Sequence, residues 1–234
     1  MHVPDGFLDA PTSLATAAVA AAAVAFALRG ARRELDDRAA PLAGLVATFV
    51  FAAQMVNFPV GAGTSGHLIG AALAAVLVGP WTATLCLTVV LLVQGLLFAD
   101  GGLTALGTNV TLMGVVAVWI GYAVFRLALL ALPRRVGSVP LAAGLGGFVS
   151  VPAAALSFAG LFTVGGTAPI DAGTLVAAMA SIHSLIGIGE GVLTALVVGS
   201  VVAVRPDLVH GARRLRAAAA AADSGAAAAA EARP

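Results

Sequence analysis

Residues 171–204 read DAGTLVAAMASIHSLIGIGEGVLTALVVGSVVAV, and this stretch decides the class of fold. It contains two acidic residues, Asp171 and Glu190, and no basic residue. A helix that crosses about 30 Å of hydrocarbon needs about 20 predominantly apolar residues. The stretch therefore predicts a transmembrane helix.

The composition of the whole chain agrees with this prediction. Of its 234 residues, 60% are hydrophobic and only 10% are charged, whereas about a quarter of the residues in a soluble domain are charged. The net charge of +1 gives no indication of nucleic-acid binding. The single cysteine, Cys86, lies in an apolar run and offers no disulfide framework. We expect an integral membrane protein.

Seven apolar stretches are long enough to be considered as spans. The third and fourth are divided by Gly79 and Pro80, which favour a break between two helices. One kinked helix in place of these two would be too long for a bilayer. The predicted fold is all-α and polytopic, with about seven transmembrane helices at 10–29, 41–57, 67–79, 81–98, 103–132, 140–163 and 171–204.

The arginines predict the orientation of these spans. All twelve Lys and Arg residues are arginine, and they lie at the ends of the first and fifth spans, in the segments that follow these spans, or after the seventh span. Cytoplasmic segments of membrane proteins carry an excess of basic residues. We therefore expect the amino terminus outside and the carboxyl terminus in the cytoplasm. The alanine-rich tail reads as a frayed cytoplasmic helix without catalytic content.

Ionisable residues at membrane depth are costly, so each one is a candidate for function. His67 follows the glycine-rich segment 61–66, which we expect to be a flexible loop at the outer start of the third span. His183 and Glu190 are seven residues apart and therefore share one face of a helix. Gly187 and Gly191 on the same helix permit a neighbouring helix to approach closely.

These polar residues also have purely structural interpretations. His67 could form a hydrogen bond at the membrane interface, and His183 with Glu190 could be an interhelical polar pair. We interpret Asn109, Gln94 and Gln54 as helix-to-helix hydrogen-bonding residues, and His210 as solvated, at the membrane boundary.

The amino terminus offers a different kind of site. A free α-amine, the His2 amide nitrogen and the His2 imidazole can close fused chelate rings around one divalent cation. A nitrogen-rich square-planar set is typical of Ni(II) or Cu(II). The amine must be deprotonated, so such binding weakens at low pH. The alternative is a frayed, solvated terminus.

Five blocks of sequence carry a family resemblance. They are MHVPDGF at 1–7, GTSGH at 63–67, GPW at 79–81, LFADGGLTALG at 97–107 and GIGEG at 187–191. In this order they resemble the CbiM/NikM proteins, the substrate-binding S components of energy-coupling-factor (ECF) importers for cobalt and nickel. The resemblance extends from residue 1 to about residue 195 and leaves out only the tail.

The resemblance implies a metal bound by the Met1 amine, the His2 amide and imidazole, and a second histidine that matches His67. Asn109, His183 and Glu190 are candidates for polar support or coupling. The implied organisation is a metal-chelating segment at 1–9, a seven-helix domain at 10–204 and a cytoplasmic tail at 205–234. No prosthetic group is implied, because Co²⁺ or Ni²⁺ is the transported substrate.

The implied function is metal import across a bacterial or archaeal cell membrane, feeding cobalamin biosynthesis. We favour cobalt, with nickel close behind. A chain without lysine cannot contain the Walker A lysine, so the chain is expected not to be an enzyme and ATP hydrolysis is expected from partners. The implied partners are a transmembrane coupling subunit, two ATP-binding subunits and a small accessory membrane subunit.

Two other functions remain open at the level of sequence. Gly63-Thr64-Ser65-Gly66 fits a short nucleophile pattern, with Ser65 as nucleophile and His183 as base of a rhomboid-like intramembrane serine protease. A passive metal channel is the other alternative, and it would work without any ATPase.

Overall fold

The computed structural model describes residues 2–35, 39–61 and 64–231, and within these ranges the chain is a bundle of helices with one small hairpin. The helices are α1 (Ala10–Gly30), α2 (Ala39–Gln54), α3 (Ala71–Val78), α4 (Pro80–Leu97), α5 (Leu106–Asn109), α6 (Val118–Ala131), α7 (Val139–Gly165), α8 (Ala172–Val204) and α9 (Arg213–Glu231). A π-helical segment, Val110–Ala117, joins α5 to α6 in one rod. The hairpin strands are β1 (Phe58–Gly61) and β2 (Thr64–Gly66), which pair antiparallel.

Local sequence explains where the helices begin. Asp9 caps α1, because its carboxylate accepts from the Thr12 amide at 2.9 Å. Asp171 caps α8 in the same way, with 2.8 Å from its carboxylate to the Thr174 amide. Gly79 has φ +97° and separates α3 from α4, which begins with Pro80. The predicted break therefore occurs at the expected place.

Five helical segments are long and apolar enough to cross a membrane, and the chain is a multi-pass membrane protein. They are Ala10–Arg33, Pro80–Leu97, Leu106–Ala131, Val136–Gly165 and Ala172–Val204. α2 is a shorter apolar helix. α3 has eight residues, about 12 Å at 1.5 Å per residue, so it cannot cross a bilayer alone. The predicted third span, 67–79, is thus a non-helical segment at 67–70 followed by a short helix.

α3 lies at the centre of the bundle. Every one of its residues is buried, and it contacts α2, α4, α6, α7 and α8. A helix surrounded in this way needs no amphipathic pattern, which explains why its sequence is uniformly apolar. The most extensive pairing in the bundle is between α7 and α8.

The connections collect at two ends of the bundle. At one end, residues 2–9 bond to the segments at 102–104 and 165–167. At the other end, Glu34 accepts from the amides of Trp81 and Thr82, at 3.2 and 2.7 Å. The described arginines lie at this second end, whereas Arg38 and Arg233 fall outside the described residues.

Two smaller expectations need correction. The segment 61–66 is in part a strand, because residues 64–66 pair with 58–61; residues 62–63 are outside the description. His210 is half-buried against the Tyr122 ring instead of solvated. Burial and, to a smaller extent, the nearby arginines lower the pKa of His210 to about 4.

Candidate metal centre

Backbone and side-chain hydrogen bonds hold the amino-terminal segment across one end of the bundle. Asn109 accepts from the Val3 amide at 2.7 Å and donates to the Val3 carbonyl at 3.2 Å. The same carbonyl accepts from the Gly102 amide at 3.0 Å. Val3 is 1% exposed and His2 is 7% exposed. The segment is therefore packed from residue 2 onward and is not frayed; Met1 lies outside the described residues.

The His2 imidazole is placed against His67. The two rings stack with centroids 4.6 Å apart and an interplanar angle of 29°. Their positions in the chain are 65 residues apart, so only the fold brings them together. Two of the residues predicted for the site, His2 and His67, are thus direct neighbours in the structure.

In each ring one nitrogen has a hydrogen-bond partner, and the other has none among the described residues. His2 Nε2 contacts Gln94 Oε1 at 3.1 Å, and His67 Nδ1 contacts the Leu68 carbonyl at 2.8 Å. Both oxygens accept, so in the neutral tautomer that makes these two hydrogen bonds His2 Nε2 and His67 Nδ1 carry the protons. His2 Nδ1 and His67 Nε2 are buried without a hydrogen-bond partner. They are the nitrogens whose lone pairs are available to a metal.

Asp100 adds a negative charge beside His2. Its Oδ1 lies 3.1 Å from His2 Nδ1, but the contact is an ion-pair distance without hydrogen-bond geometry. The His2 imidazole lowers the pKa of the Asp100 carboxyl below its usual value. A proton on His2 Nδ1, or a metal cation in its place, balances the charge of this carboxylate. The arrangement therefore suits a bound cation.

The segment that carries His67 is fixed from both sides. Gln54, at the end of α2, donates to the Ile69 carbonyl at 2.7 Å. Glu190, near the middle of α8, accepts from the amides of Ile69 and Gly70 at 2.5 and 2.9 Å. These amides precede α3 and would otherwise be unsatisfied inside the bundle. Glu190 thus supports the start of α3, and through it the position of His67.

His183 is fully buried but does not bond to Glu190. Its Nδ1 contacts the Met179 carbonyl at 3.1 Å, and its Nε2 has no hydrogen-bond partner among the described residues. The interhelical polar pair that the spacing allowed is therefore not formed by these two side chains. Gly187 and Gly191, by contrast, do permit close packing, because a Cβ on either would lie under 3.0 Å from a backbone carbonyl of α7.

Two supporting residues were not identified from the sequence as part of the site. The sequence predicts Gln94 to be a helix-to-helix residue, and Asp100 enters only as a member of the block LFADGGLTALG. The available signals were a glutamine inside an apolar span and an aspartate in the block LFADGG. Gly101 has φ +93°, and a Cβ on Gly102 would lie 2.3 Å from the Asp5 amide nitrogen. The two glycines thus allow this turn to lie against the amino-terminal segment.

A cavity of about 280 Å³ opens beside His2 and is lined by Pro4, Asp5 and residues 99–102. Both of its carboxylates are stabilised in the charged form: hydrogen bonds from Thr104 lower the pKa of Asp5, and His2 lowers that of Asp100. No basic side chain other than His2 lines this cavity among the described residues. Its negative potential favours the approach of cations.

The described side chains do not form a complete metal site by themselves. Within residues 2–35, 39–61 and 64–231, no group of three or more His, Cys, Asp or Glu residues is arranged to bind a metal ion. Any metal beside His2 and His67 therefore needs further donors, of which backbone and terminal nitrogens are the nearest in sequence.

Comparison with known proteins gives a consistent result. The CbiM family model, described as a cobalt uptake substrate-specific transmembrane region, matches residues 2–208. A Haloquadratum walsbyi protein named for metal transport is 41% identical over 89% of this chain and 93% of its own length. The cobalt transport protein CbiM of Sorangium cellulosum is 37% identical over 93% of this chain and 98% of its own.

A solved structure agrees with the fold. The crystal structure of a truncated transition metal transporter superposes with a TM-score of 0.79 and 34% identity, over 85% of this chain and 96% of that chain. The sequence blocks, the membrane bundle and these relatives lead to one assignment. The chain belongs to the CbiM family of multi-pass cell-membrane proteins for cobalt and nickel transport.

Proposed function

We propose that this chain is the substrate-capture subunit of an ECF-type importer and binds Co²⁺ or Ni²⁺ at its amino terminus. The proposed ligands are the Met1 amine, the His2 amide nitrogen, His2 Nδ1 and His67 Nε2. The amide nitrogen and Nδ1 of one histidine close a six-membered ring with a metal. This set of four nitrogens needs no third metal-binding side chain.

The observation that carries the proposal is the stacked pair of His2 and His67 with one available nitrogen each. Hydrogen bonds that the rings donate to Gln94 Oε1 and to the Leu68 carbonyl fix which nitrogen is available. In metal sites, hydrogen bonds to the second nitrogen of a histidine ligand orient its ring. Removing such a partner typically lowers the affinity for the metal by about tenfold to a hundredfold. The backbone of Val3, bound to Asn109, keeps the preceding residues in place.

The donor set bears on the identity of the metal. Four nitrogens in a plane suit Ni(II) and are compatible with Co(II), whereas zinc prefers a tetrahedron. Relatives are named for either cobalt or nickel transport. We favour cobalt because the matching family model is described by cobalt uptake, and we place nickel second. On this basis the imported metal would feed cobalamin biosynthesis.

The orientation that we propose has the amino terminus outside and the tail in the cytoplasm, with seven crossings. The position of the described arginines at the end of the bundle opposite His2 supports it. The third crossing would consist of residues 67–70 and α3 together. Non-helical backbone at membrane depth is tolerated where it is buried in protein, as it is here.

Energy for import is proposed to come from partners. The chain contains no lysine and so no Walker A motif, and we infer that it is not an enzyme. The proposed partners are a transmembrane coupling subunit, two ATP-binding subunits and a small accessory membrane subunit. Membership of a family of transport proteins gives no support to the protease alternative with Ser65 and His183.

The test compares protein that has its native amine with protein that carries one extra amino-terminal residue. Titration with Co²⁺ and with Ni²⁺ should show a loss of affinity of more than about a hundredfold, the most that changes outside the ligand set cause, because the displaced amine can no longer close a five-membered ring with the His2 amide nitrogen. A matched control carries one extra residue at the carboxyl end and should bind normally. Equal binding by all three proteins would contradict the chelate.

Cell experiments separate the remaining alternatives. Uptake of the metal should require the ATPase partners, which a passive channel would not need. Ser65→Ala should leave uptake unchanged, and His2→Ala should abolish it. The reverse pattern would favour the protease hypothesis.

A further inference from the structure

A second cavity, of about 420 Å³, lies at the end of the bundle opposite His2. Four arginines line it, and we call it the basic cavity: Arg126 from α6, Arg134 from the loop after α6, and Arg213 and Arg214 from the start of α9. Residues distant in sequence therefore converge on one space. The orientation of the spans predicts arginines at this end of the molecule, but it does not predict that they share a cavity.

The charge of the basic cavity is not neutralised by its own walls. None of its lining residues is acidic. Among the described residues, no carboxylate lies within ion-pair distance of Arg126, Arg134 or Arg214, and the nearby Asp207 is paired with Arg205 at 2.7 Å. The Arg126 guanidinium lies 6.0 Å from the centre of the Tyr122 ring. The cavity thus has a positive potential that favours an anion.

His210 lies in the wall of the same cavity and supports this assignment. Its Nδ1 is buried and has no hydrogen-bond partner among the described residues. Burial lowers its pKa to about 4, and Arg213, Arg126 and Arg214 contribute to the lowering. A neutral imidazole with an unused polar atom can take part in binding a phosphate through a donated hydrogen bond.

The other wall is apolar and continues toward the lipid. Leu129, Leu130 and Leu215 line the cavity, and Leu130 is 76% exposed on the outer surface of α6. Leu127, on the same helix, is 64% exposed. A free phosphate ion would use only the basic wall, whereas a phospholipid would use both. The combination of walls therefore selects an amphipathic ligand.

We propose that the basic cavity binds the phosphate headgroup of an anionic phospholipid, whose acyl chains pack on the leucines of α6. Basic pockets between membrane helices are suited to such headgroups, because guanidinium groups bind phosphate oxygens through two parallel hydrogen bonds. The cavity and the His2 site lie at opposite ends of the bundle. The lipid site is thus independent of the proposed metal site, and either can fail without the other.

The experiment uses the full chain, purified in detergent and depleted of lipid. Phosphatidylglycerol and phosphatidylcholine with identical acyl chains are titrated separately, and the bound lipid is counted by native mass spectrometry. We expect one phosphatidylglycerol to be retained at concentrations at which phosphatidylcholine is lost. The triple variant R126Q/R134Q/R214Q should bind phosphatidylglycerol at least about tenfold more weakly, because three guanidinium groups are removed.

The matched control removes the same charge elsewhere at the same end of the molecule. R29Q/R32Q/R33Q changes three exposed arginines that do not line the basic cavity, and it should keep the affinity for phosphatidylglycerol. If the test variant unfolds, R126K/R134K/R214K keeps the charge but loses the paired hydrogen bonds, and it should still bind more weakly than the parent.

Three outcomes would overturn the proposal. The first is an equal loss of lipid in the test and control variants, which would indicate general attraction to the surface. The second is equal retention of phosphatidylcholine and phosphatidylglycerol, which would show that the cavity does not recognise the net negative charge of the headgroup. The third is displacement of the lipid by millimolar inorganic phosphate at constant ionic strength, which would identify a site for the free ion.

Discussion

At the scale of single residues, the amino-terminal segment depends on one buried amide side chain. Asn109 forms two hydrogen bonds with the backbone of Val3 and is only 2% exposed. A carboxamide is suited to this position because it has a donor and an acceptor side by side. Among the described residues, the hydrogen bonds of the Asn109 side chain go to Val3 and not to His2 or His67, so Asn109 affects the site by positioning the amino-terminal segment.

We predict that Asn109→Leu weakens the binding of Co²⁺ and Ni²⁺ by about tenfold to a hundredfold. A loss of this size is expected when a residue that positions metal ligands without binding the metal is removed. The side chains are similar in size, so the bundle should remain folded. The measurement is a metal titration of protein with its native amino terminus, combined with thermal unfolding in detergent.

Thr111→Val is the control for this prediction. Thr111 is in the same rod and is buried, and its hydroxyl donates to the Thr16 carbonyl at 2.8 Å. Its loss should lower the free energy of unfolding by about 1 kcal/mol, as for one typical hydrogen bond, while metal affinity stays unchanged. If both variants lose affinity equally, Asn109 has no specific role in the site.

The sequence allowed the types of residue at the site to be predicted, but not all of their contacts. His2 and His67 stood out because histidines are rare in this chain and both lie toward the outer side. Gln94 and Asp100 could not be recognised as their neighbours, because the stacking of two rings 65 positions apart depends on how α4 and the turn after it are placed. Periodicity gives the face of a helix and not its partner across the bundle.

At the scale of elements, the third predicted span shows where sequence patterns were sufficient and where they were not. The break at Gly79 and Pro80 was correct, and the long helices begin and end within a few residues of the predicted bounds. The start of α3 was predicted too early, because residues 67–70 are apolar enough to resemble a helix. The amides of Ile69 and Gly70 instead donate to Glu190, and a contact between residues so far apart in the chain cannot be recognised from the local sequence pattern.

Glu190→Gln tests this support. A carboxamide has one acceptor oxygen in place of two, so one of the two amides before α3 loses its partner. We predict a decrease of about 1 to 3 kcal/mol in the free energy of unfolding, the usual cost of a buried unsatisfied group. Metal affinity should fall as well, because His67 lies just before Ile69. Thermal unfolding and metal titration measure the two effects.

Thr194→Val is the matched change one helical turn later. Thr194 is 1% exposed on the same helix, and among the described residues the side chains that bond to the backbone of Ile69 and Gly70 are those of Gln54 and Glu190, not Thr194. It should reduce stability by at most about 1 kcal/mol and leave metal affinity unaltered. A Glu190→Gln protein that binds metal as tightly as the Thr194→Val protein would show that the start of α3 does not position His67.

At the scale of the whole molecule, the contact between α7 and α8 links the centre of the bundle to the metal-binding end. Gly144 and Gly191 allow this contact, since a Cβ on Gly191 would lie 2.8 Å from the Gly144 carbonyl oxygen. Small residues at such crossings let two membrane helices pack backbone against backbone. Glu190 precedes Gly191, so the distance between α7 and α8 also determines where the carboxylate meets the start of α3.

Two neighbouring glycine substitutions should therefore have opposite effects. Gly189→Ala places its Cβ in open space, and the gain in helix propensity, about 1 kcal/mol, should raise the unfolding temperature. Gly191→Ala forces α7 and α8 apart, and overpacking of this kind costs about 1 to 3 kcal/mol. Because the displacement moves Glu190, Gly191→Ala should also weaken metal binding, whereas Gly189→Ala should not. Thermal unfolding in detergent and titration with Ni²⁺ would measure both changes; equal behaviour of the two variants would mean that the α7–α8 distance does not control the site.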